Sequence, residues 1–188
     1  RYGLVACCHF EDYVSGKIKK HELTRTEKEQ DRMIHVRNQN ANIEPVFFAY
    51  PAVAEIDQIV KDIVTKQAPE YDFVAEDGFG HTFWVINCPD TNKRITELFA
   101  QIPALYVADG HHRTAAAALV GQEKKGQNPK HTGNEEYNYF LAVIFPDEQL
   151  KIIDYNRVVK DLNGLSSADL LKKLEEAFVV EKKGAEIY

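Results

Sequence analysis

The chain has 188 residues, of which 44% are hydrophobic and 11% aromatic, so it has enough apolar material to bury a core. Its formal net charge of −6 argues against a general binder of nucleic acid, because such domains usually carry net positive charge. No apolar run approaches the roughly 18 residues that a membrane span requires, and Cys7, Cys8 and Cys88 lack metal-ligand or disulfide-framework spacing. We therefore expect a cytoplasmic protein with reduced thiols.

Hydrophobic periodicity and turn residues predict interleaved strands and helices in the first half of the chain. The predicted elements are a strand at residues 2–10, an extended piece at 17–23, a helix at 24–40, a strand at 45–50, a helix at 53–66, a hairpin over 71–87 and a helix at 91–101. Two capping-box patterns, Thr24-x-x-Glu27 and Thr26-x-x-Glu29, mark the start of the first helix. That helix has few apolar positions, so it is either exposed or built to present polar side chains.

The second half continues the alternation. It contains a predicted strand at 104–108, a helix from about 110 to 120, a solvated loop at 121–134, a second hairpin with strands at 137–145 and 150–154, and a helix capped by Ser166. The interleaving predicts an α/β fold in which helices pack on a mixed sheet and two hairpins are present. We expect residues 1–165 to form a single domain and residues 166–188 to begin a C-terminal segment. The first residues lie within a predicted strand and no initiator Met precedes them, so we expect a portion of a longer protein.

The turn between the strand at 104–108 and the following helix concentrates cationic residues. It reads Asp109-Gly110-His111-His112-Arg113. Cations are disfavoured at a helix N-terminus by about 0.3–1 kcal/mol each, so this arrangement favours an anion site in which free N–H groups, Arg113 and the imidazoles face a ligand. Asp109 is placed to cap the helix. The alternative is that Arg113 pairs with Asp109 or a distant carboxylate while the histidines pack as neutral rings.

A second cluster lies between Lys17 and Arg37, where seven Lys or Arg residues outnumber four Asp or Glu residues. The residues of interest in it are Lys20, His21, Glu22, Arg25, Arg32 and the pair Asp31 and His35. Asp31 and His35 have i, i+4 spacing, which orients an imidazole or holds a metal ion. His21-Glu22 does not begin a zinc-protease HExxH motif, because Arg25 occupies the second histidine position. The alternative is a solvated mixed-charge helix face.

These pieces resemble the domain-of-unknown-function 1015 family of bacterial and archaeal proteins. The matching stretches are Ile18-Lys-Lys-His-Glu-Leu-Thr-Arg25 with Glu29-x-Asp31-Arg32, Pro45-Val-Phe, Ile102-Pro-Ala-Leu-Tyr-Val-Ala-Asp-Gly-His-His-Arg113 and Asp154-Tyr-Asn-Arg157. The resemblance runs from residue 1 to about residue 165. It implies that the chain is the central portion of a longer protein whose family has no established activity.

A wider resemblance concerns the turn alone. Asp-Gly-His-His-Arg between a strand and a helix is similar to the phosphate-binding motif of the ParB/sulfiredoxin superfamily, which includes ATP-using sulfiredoxins, nucleotide-hydrolysing ParB proteins and kinases of free serine. This similarity implies that Asp109, Gly110, His111, His112 and Arg113 hold phosphates. Similarity to the serine kinases implies an upstream carboxylate as base, for which Glu22 is the match. The polar helix at 24–40 has no counterpart there, and fold-level analogy does not establish activity.

The leading hypothesis is a nucleotide-dependent phosphotransferase that uses ATP or ADP with Mg²⁺ and acts on a small hydroxyl-bearing metabolite such as free serine. The expected phosphate ligands are the residues of the turn together with Lys20, Arg25 and Arg32. Glu22 or Asp31 accepts the hydroxyl proton or holds Mg²⁺, and His21 joins this catalytic set. Asn156 and Arg157 are lesser candidates that also fit a plain turn.

Two other classes of function stay open. One is a regulatory or nucleic-acid-associated ParB-like module that binds a nucleotide or anion without turnover, although the acidic charge argues against DNA. The other is a metal-dependent phosphohydrolase that uses His21, Asp31, His35 and the histidine pair of the turn. The expected partners are a nucleotide and a small-molecule substrate, with no membrane and with the oligomeric state undetermined.

Overall fold

The structure is a computed structural model that describes residues 1–153 and 158–181. Its strands are β1 Leu4–His9, β2 Ile18–Lys19, β3 Val46–Tyr50, β4 Tyr71–Val74, β5 Gly80–Phe83, β6 Leu105–Asp109 and β7 Tyr139–Pro146. Its α-helices are α1 Phe10–Val14, α2 Thr26–Gln39, α3 Ala54–Lys66, α4 Pro89–Gln101, α5 His111–Gln127 and α6 Ser167–Glu175. The chain divides into two compact units, Arg1–Lys151 and Ile152–Tyr188. The expected domain boundary at residue 165 stays a prediction.

Five strands of the first unit form a mixed sheet in the order β1-β7-β3-β6-β2. The pairs β1–β7 and β3–β6 are antiparallel, whereas β3–β7 and β2–β6 are parallel. Strands β4 and β5 form a separate antiparallel hairpin. The mixed α/β class and the presence of the first hairpin are therefore confirmed, although its second strand ends at Phe83 and not at residue 87.

The core follows from the alternation of the central strands, in which every second side chain faces the same side of the sheet. Val46, Phe48 and Tyr50 are buried along β3, and β7 alternates in the same way. A cluster of alanines in α5 joins this core, and small side chains there let the helix approach the sheet closely. Each large aliphatic or aromatic side chain contributes about 1.5–3 kcal/mol to the free energy of folding when it is fully buried. These strands and α5 therefore form the stable framework of the first unit.

Helix α5 is longer than expected. Residues 121–127 continue it, so the predicted loop at 121–134 is wrong over that stretch. Gly121 suggested a break, yet the helix needs it: a Cβ there would lie 2.8 Å from both a Phe10 ring carbon and the Tyr137 carbonyl oxygen. The glycine therefore permits close packing in a helix that then continues through residues with good helix propensity.

Two other expectations are wrong. The second hairpin is not formed by the described residues, because 150–153 contain no strand; β7 pairs instead with β1 and β3. Neither capping box operates at α2, whose N-cap is Arg25 and has no side-chain cap, while Thr24 Oγ1 donates to Glu29 Oε2 at 2.7 Å. The N–H of the N-cap residue Arg25 donates instead to a distant side chain, His112 Nε2, at 3.1 Å.

The second unit contains α6. Ser166 caps this helix as predicted, because its hydroxyl oxygen accepts the Asp169 N–H at 3.2 Å. Within residues 1–153 and 158–181, no helix is both long and apolar enough to cross a membrane.

Candidate functional site

The predicted phosphate-binding residues 109–113 lie in the turn that joins β6 to α5. Gly110 is the N-cap of α5 and has a φ of +89°, a left-handed conformation that glycine adopts without steric cost. The expected cap by Asp109 is wrong, because no side chain caps this helix and the carboxylate accepts from Arg113 Nη2 at 3.0 Å. The positive end of α5 therefore lacks a carboxylate cap.

The sheet brings the predicted cluster that begins at Lys17 next to the turn at residues 109–113, at the carboxyl ends of β2 and β6. Strands β2 and β6 are parallel neighbours, with Ile18 opposite Leu105 and Lys19 opposite Tyr106. The segment of residues 20–25 that follows β2, here called the 20–25 loop, therefore lies beside the turn that follows β6. Ligands of α/β sheets bind beyond the carboxyl ends of strands, so this is a favoured place for a site.

His111 is the buried member of the turn, with only 6% of the residue exposed. Its ring lies edge-on to that of His21, with centroids 4.5 Å apart. Its Nδ1 is 3.6 Å from Glu22 Oε2, and its Nε2 is buried without a hydrogen-bond partner among the described residues. Burial, reinforced by His21, lowers the pKa of His111, although Glu22 and Asp109 oppose the shift. The imidazole is therefore neutral near pH 7.

His112 connects the turn to α2. Its Nε2 accepts the backbone N–H of Arg25 at 3.1 Å, so this nitrogen carries no proton in the observed arrangement. Arg25 is the N-cap of α2. The hydrogen bond thus joins the N-cap residue of α2 to the first turn of α5.

Helices α2 and α5 run side by side in the same direction. Their starts meet at Arg25 and His112, and further along Arg37 binds Glu123 through two hydrogen bonds of 2.9 and 2.6 Å. Neither N-terminus has a side-chain cap; α5 has no acidic residue in its first turn, whereas α2 carries Glu27 and Glu29 there. We call residues 25–28 and 110–113 the paired helix starts; their partial positive charges and N–H groups lie together, which favours an anion.

Arg113 is already paired with carboxylates. It binds Glu44, which lies just before β3, and Asp109. Glu44 was not among the predicted site residues; its position directly before Pro45 and a strand was the only signal in the sequence. The turn therefore contains a neutral His111, a His112 whose Nε2 acts as a hydrogen-bond acceptor, and an Arg113 paired with two carboxylates. The backbone N–H groups at the start of α5 are the remaining positive groups of the turn.

The other predicted residues lie at different distances from the turn. Arg32 lines a cavity of about 50 Å³ together with Arg113, Asn42 and Glu44, which is room for a few water molecules. Lys20 lies over the Tyr13 ring, 4.9 Å from its centroid. These contacts place Arg32 beside the turn and direct Lys20 towards α1.

The metal prediction finds little support in side-chain geometry. Asp31 Oδ1 and His35 Nε2 are 3.8 Å apart and both side chains are exposed. Across residues 1–153 and 158–181, no three His, Cys, Asp or Glu side chains are grouped to hold a metal ion. Asn156 and Arg157 lie outside the described residues.

A larger cavity of about 790 Å³ lies elsewhere in the first unit. Sequence patterns gave no signal for it, and its lining includes β1 residues, aliphatic side chains of α3 and α4, and Trp84. None of the predicted site residues that the structure describes lines it. The three cysteines are free; Cys8 is buried, whereas Cys7 and Cys88 are exposed.

No curated protein and no solved structure matches the chain. One family model does match, and it covers residues 1–187. Its description is "Protein of unknown function (DUF1015)". The chain therefore belongs to the domain-of-unknown-function 1015 family.

Proposed function

We propose that the protein is a nucleotide-dependent phosphotransferase that transfers a phosphoryl group from ATP or ADP to a small hydroxyl-bearing metabolite such as free serine. The observation that carries the proposal is the meeting of two uncapped helix N-termini at the Arg25–His112 hydrogen bond. In this proposal the first-turn N–H groups of the two helices bind phosphate oxygens, apart from the Arg25 N–H, which donates to His112. Phosphoryl transfer depends mainly on such positioning and charge stabilisation.

In this proposal the turn acts as a ParB/sulfiredoxin-like phosphate-binding turn. The glycine conformation at residue 110 supports it, because it lets the backbone enter α5 without a Cβ beside the ligand. The side chains of Arg25 and Arg32 add positive charge beside the paired helix starts. Arg113 serves first to anchor the turn through Asp109 and Glu44, and it contacts phosphate only by exchanging one of them.

In the proposed reaction, a residue of the 20–25 loop takes part in proton transfer. Glu22 contacts His111, whereas Asp31 pairs with His35, so Glu22 is the carboxylate that we assign to proton handling. The described side chains do not form a preformed metal site. In this proposal Mg²⁺ therefore arrives with the nucleotide and is bound largely by its phosphates, as is common for this ion.

The test is nucleotide turnover with a panel of small alcohols and amino acids, measured together with the melting temperature with and without nucleotide and Mg²⁺. We expect turnover with at least one acceptor and a higher melting temperature. Arg25→Gln should weaken nucleotide binding about 10- to 150-fold, because a charge-assisted hydrogen bond is worth roughly 1.5–3 kcal/mol. Lys61→Gln, an exposed charge on α3, is the matched control.

Turnover of no acceptor, together with an unchanged melting temperature, overturns the proposal. Binding of nucleotide without turnover favours the regulatory module instead. In that case a steep salt dependence of binding to duplex DNA would identify a nucleic-acid partner, because each neutralised phosphate adds to the slope.

A further inference from the structure

One buried nitrogen at the site, Nε2 of the His111 side chain, has no hydrogen-bond partner among the described residues. A buried polar atom left without a partner costs about 1–3 kcal/mol, and such atoms in native proteins often serve a ligand or a reaction. The position of His111 at the N-terminus of α5 puts this nitrogen beside the proposed phosphate site.

The groups around the ring define which nitrogen carries the proton. Glu22 Oε2 faces Nδ1 at 3.6 Å, and a nearby carboxylate favours a proton on the nitrogen that it faces. In the neutral ring Nε2 is then the unprotonated nitrogen. The side chain therefore has the form of a base whose lone pair is unused.

We propose that His111 Nε2 accepts the hydroxyl proton of the acceptor substrate and that Glu22 is the positioning residue that fixes the imidazole tautomer. This inference rests on the proposed phosphotransferase function and specifies how Glu22 acts. The substrate hydroxyl supplies the missing hydrogen-bond partner. Because Nε2 is buried, the hydroxyl reaches it only when the side chains packed around it move.

The hydroxyl oxygen forms a bond to the terminal phosphorus of the nucleotide while its proton moves to Nε2. The bond between that phosphorus and the bridging oxygen breaks, and its electron pair leaves with the shortened nucleotide. The resulting imidazolium is stabilised by the Glu22 carboxylate and returns its proton to water, so the products are a phosphate ester, the shortened nucleotide and a proton.

Charge and burial suit His111 to this role. Glu22 and Asp109 face it and raise its pKa, whereas burial, His21 and His112 lower it, and the lowering prevails. The ring is therefore neutral at pH 7, with Nε2 unprotonated and able to accept a proton. Protonation at lower pH should abolish the reaction.

Two measurements test the proposal. Imidazole ¹⁵N NMR of the whole protein should show neutral His111 with its proton on Nδ1. The pH profile of kcat/KM should fall on the acid side, and Glu22→Gln should move that fall to lower pH, because it removes a carboxylate that raises the pKa of His111. His111→Gln should lower kcat by about 10²–10⁴ and remove the acid-side fall. His81→Gln, on the exposed β5 strand, is the control.

Three results would overturn the inference: a proton on Nε2, an acid-side fall unmoved by Glu22→Gln, or full activity of His111→Gln. If the wild-type protein still turns over nucleotide, these results leave the proposed phosphotransferase function standing. Absence of wild-type turnover overturns both. Glu22 has an exposed side chain, so Glu22→Gln and the NMR experiment decide the question even where substitution of buried His111 prevents folding.

Discussion

Arg25 donates its backbone N–H to Nε2 of His112 at 3.1 Å, and this one hydrogen bond ties the start of α2 to the start of α5. The bond uses the imidazole as an acceptor, so it depends on an unprotonated Nε2. It also brings the 20–25 loop next to the turn after β6. The candidate site is therefore assembled by a contact between residues 87 positions apart in the chain.

Replacing His112 with alanine should loosen the start of α2. The Arg25 N–H loses its acceptor, which costs about 0.5–1.5 kcal/mol of unfolding free energy. Hydrogen exchange should accelerate at the amides of residues 25–29 and stay unchanged at the end of the same helix. His81→Ala, on the exposed hairpin, serves as the control. Equal exchange in the variant and the wild type would show that the hydrogen bond does not order α2.

Gly110→Ala should destabilise the first unit by about 1–2 kcal/mol, because an L-residue is strained at a φ of +89°. Its Cβ would also lie 3.2 Å from Arg113 side-chain nitrogens. Gly126→Ala is the matched control within α5, where an added Cβ meets open space and should stabilise the helix by up to about 1 kcal/mol. Urea unfolding measures both; equal effects of the two substitutions would contradict the assigned turn conformation.

The free cysteines should differ in reactivity. Hydrogen bonds from Thr91, together with a backbone bond from Asp90, lower the pKa of exposed Cys88, whereas burial raises the pKa of Cys8 to about 12. The thiolate is the reactive form, so iodoacetamide at pH 7.5 should modify Cys88 much faster than Cys8. Peptide mapping gives both rates, and Cys88→Ser should remove the fast phase. Faster labelling of Cys8 would contradict the packing of β1.

Glu135 should make the 131–138 segment sensitive to acid. Backbone hydrogen bonds, chiefly from Thr132, lower its pKa from 4.5 to about 2. A lowered pKa in the folded state stabilises the protein above the unfolded-state value, and this stabilisation is lost as pH falls from about 4.5 towards 2. Glu135→Gln should lower the melting temperature at pH 6 and reduce its dependence on pH in that window. Its exposed neighbour gives the control Glu136→Gln, and equal pH profiles for both variants would refute the assignment.

Local patterns predicted most elements of the fold because their physical causes are local. Continuous apolar runs predicted β3 and β7, and Asp77-Gly78 predicted the β4–β5 hairpin. Errors arose where a distant contact overrides a local preference. Gly121 reads as a helix breaker, yet it allows α5 to pass Phe10 and Tyr137, and nothing local indicates those neighbours.

The composition of the candidate site was visible in the sequence, but its arrangement was not. Charge and glycine placement identified the turn after β6. The parallel pairing of β2 with β6 depends on sheet order, which local patterns do not specify, and this pairing is what brings His21 and Glu22 to His111. The role of Arg113 was left open between anion binding and a carboxylate pair, and the structure places it with Glu44 and Asp109.

The central claim is that an anionic nucleotide binds at the paired helix starts, and a titration of backbone amides with ATP and Mg²⁺ by ¹⁵N–¹H NMR tests it most directly. Chemical shifts should change first at residues 26–28 and 111–113, with little change in the β4–β5 hairpin. Arg25→Gln should reduce these changes at a given ATP concentration, whereas Lys61→Gln should not. Unchanged amides at both helix starts, or changes confined to the 790 Å³ cavity, would contradict the claim.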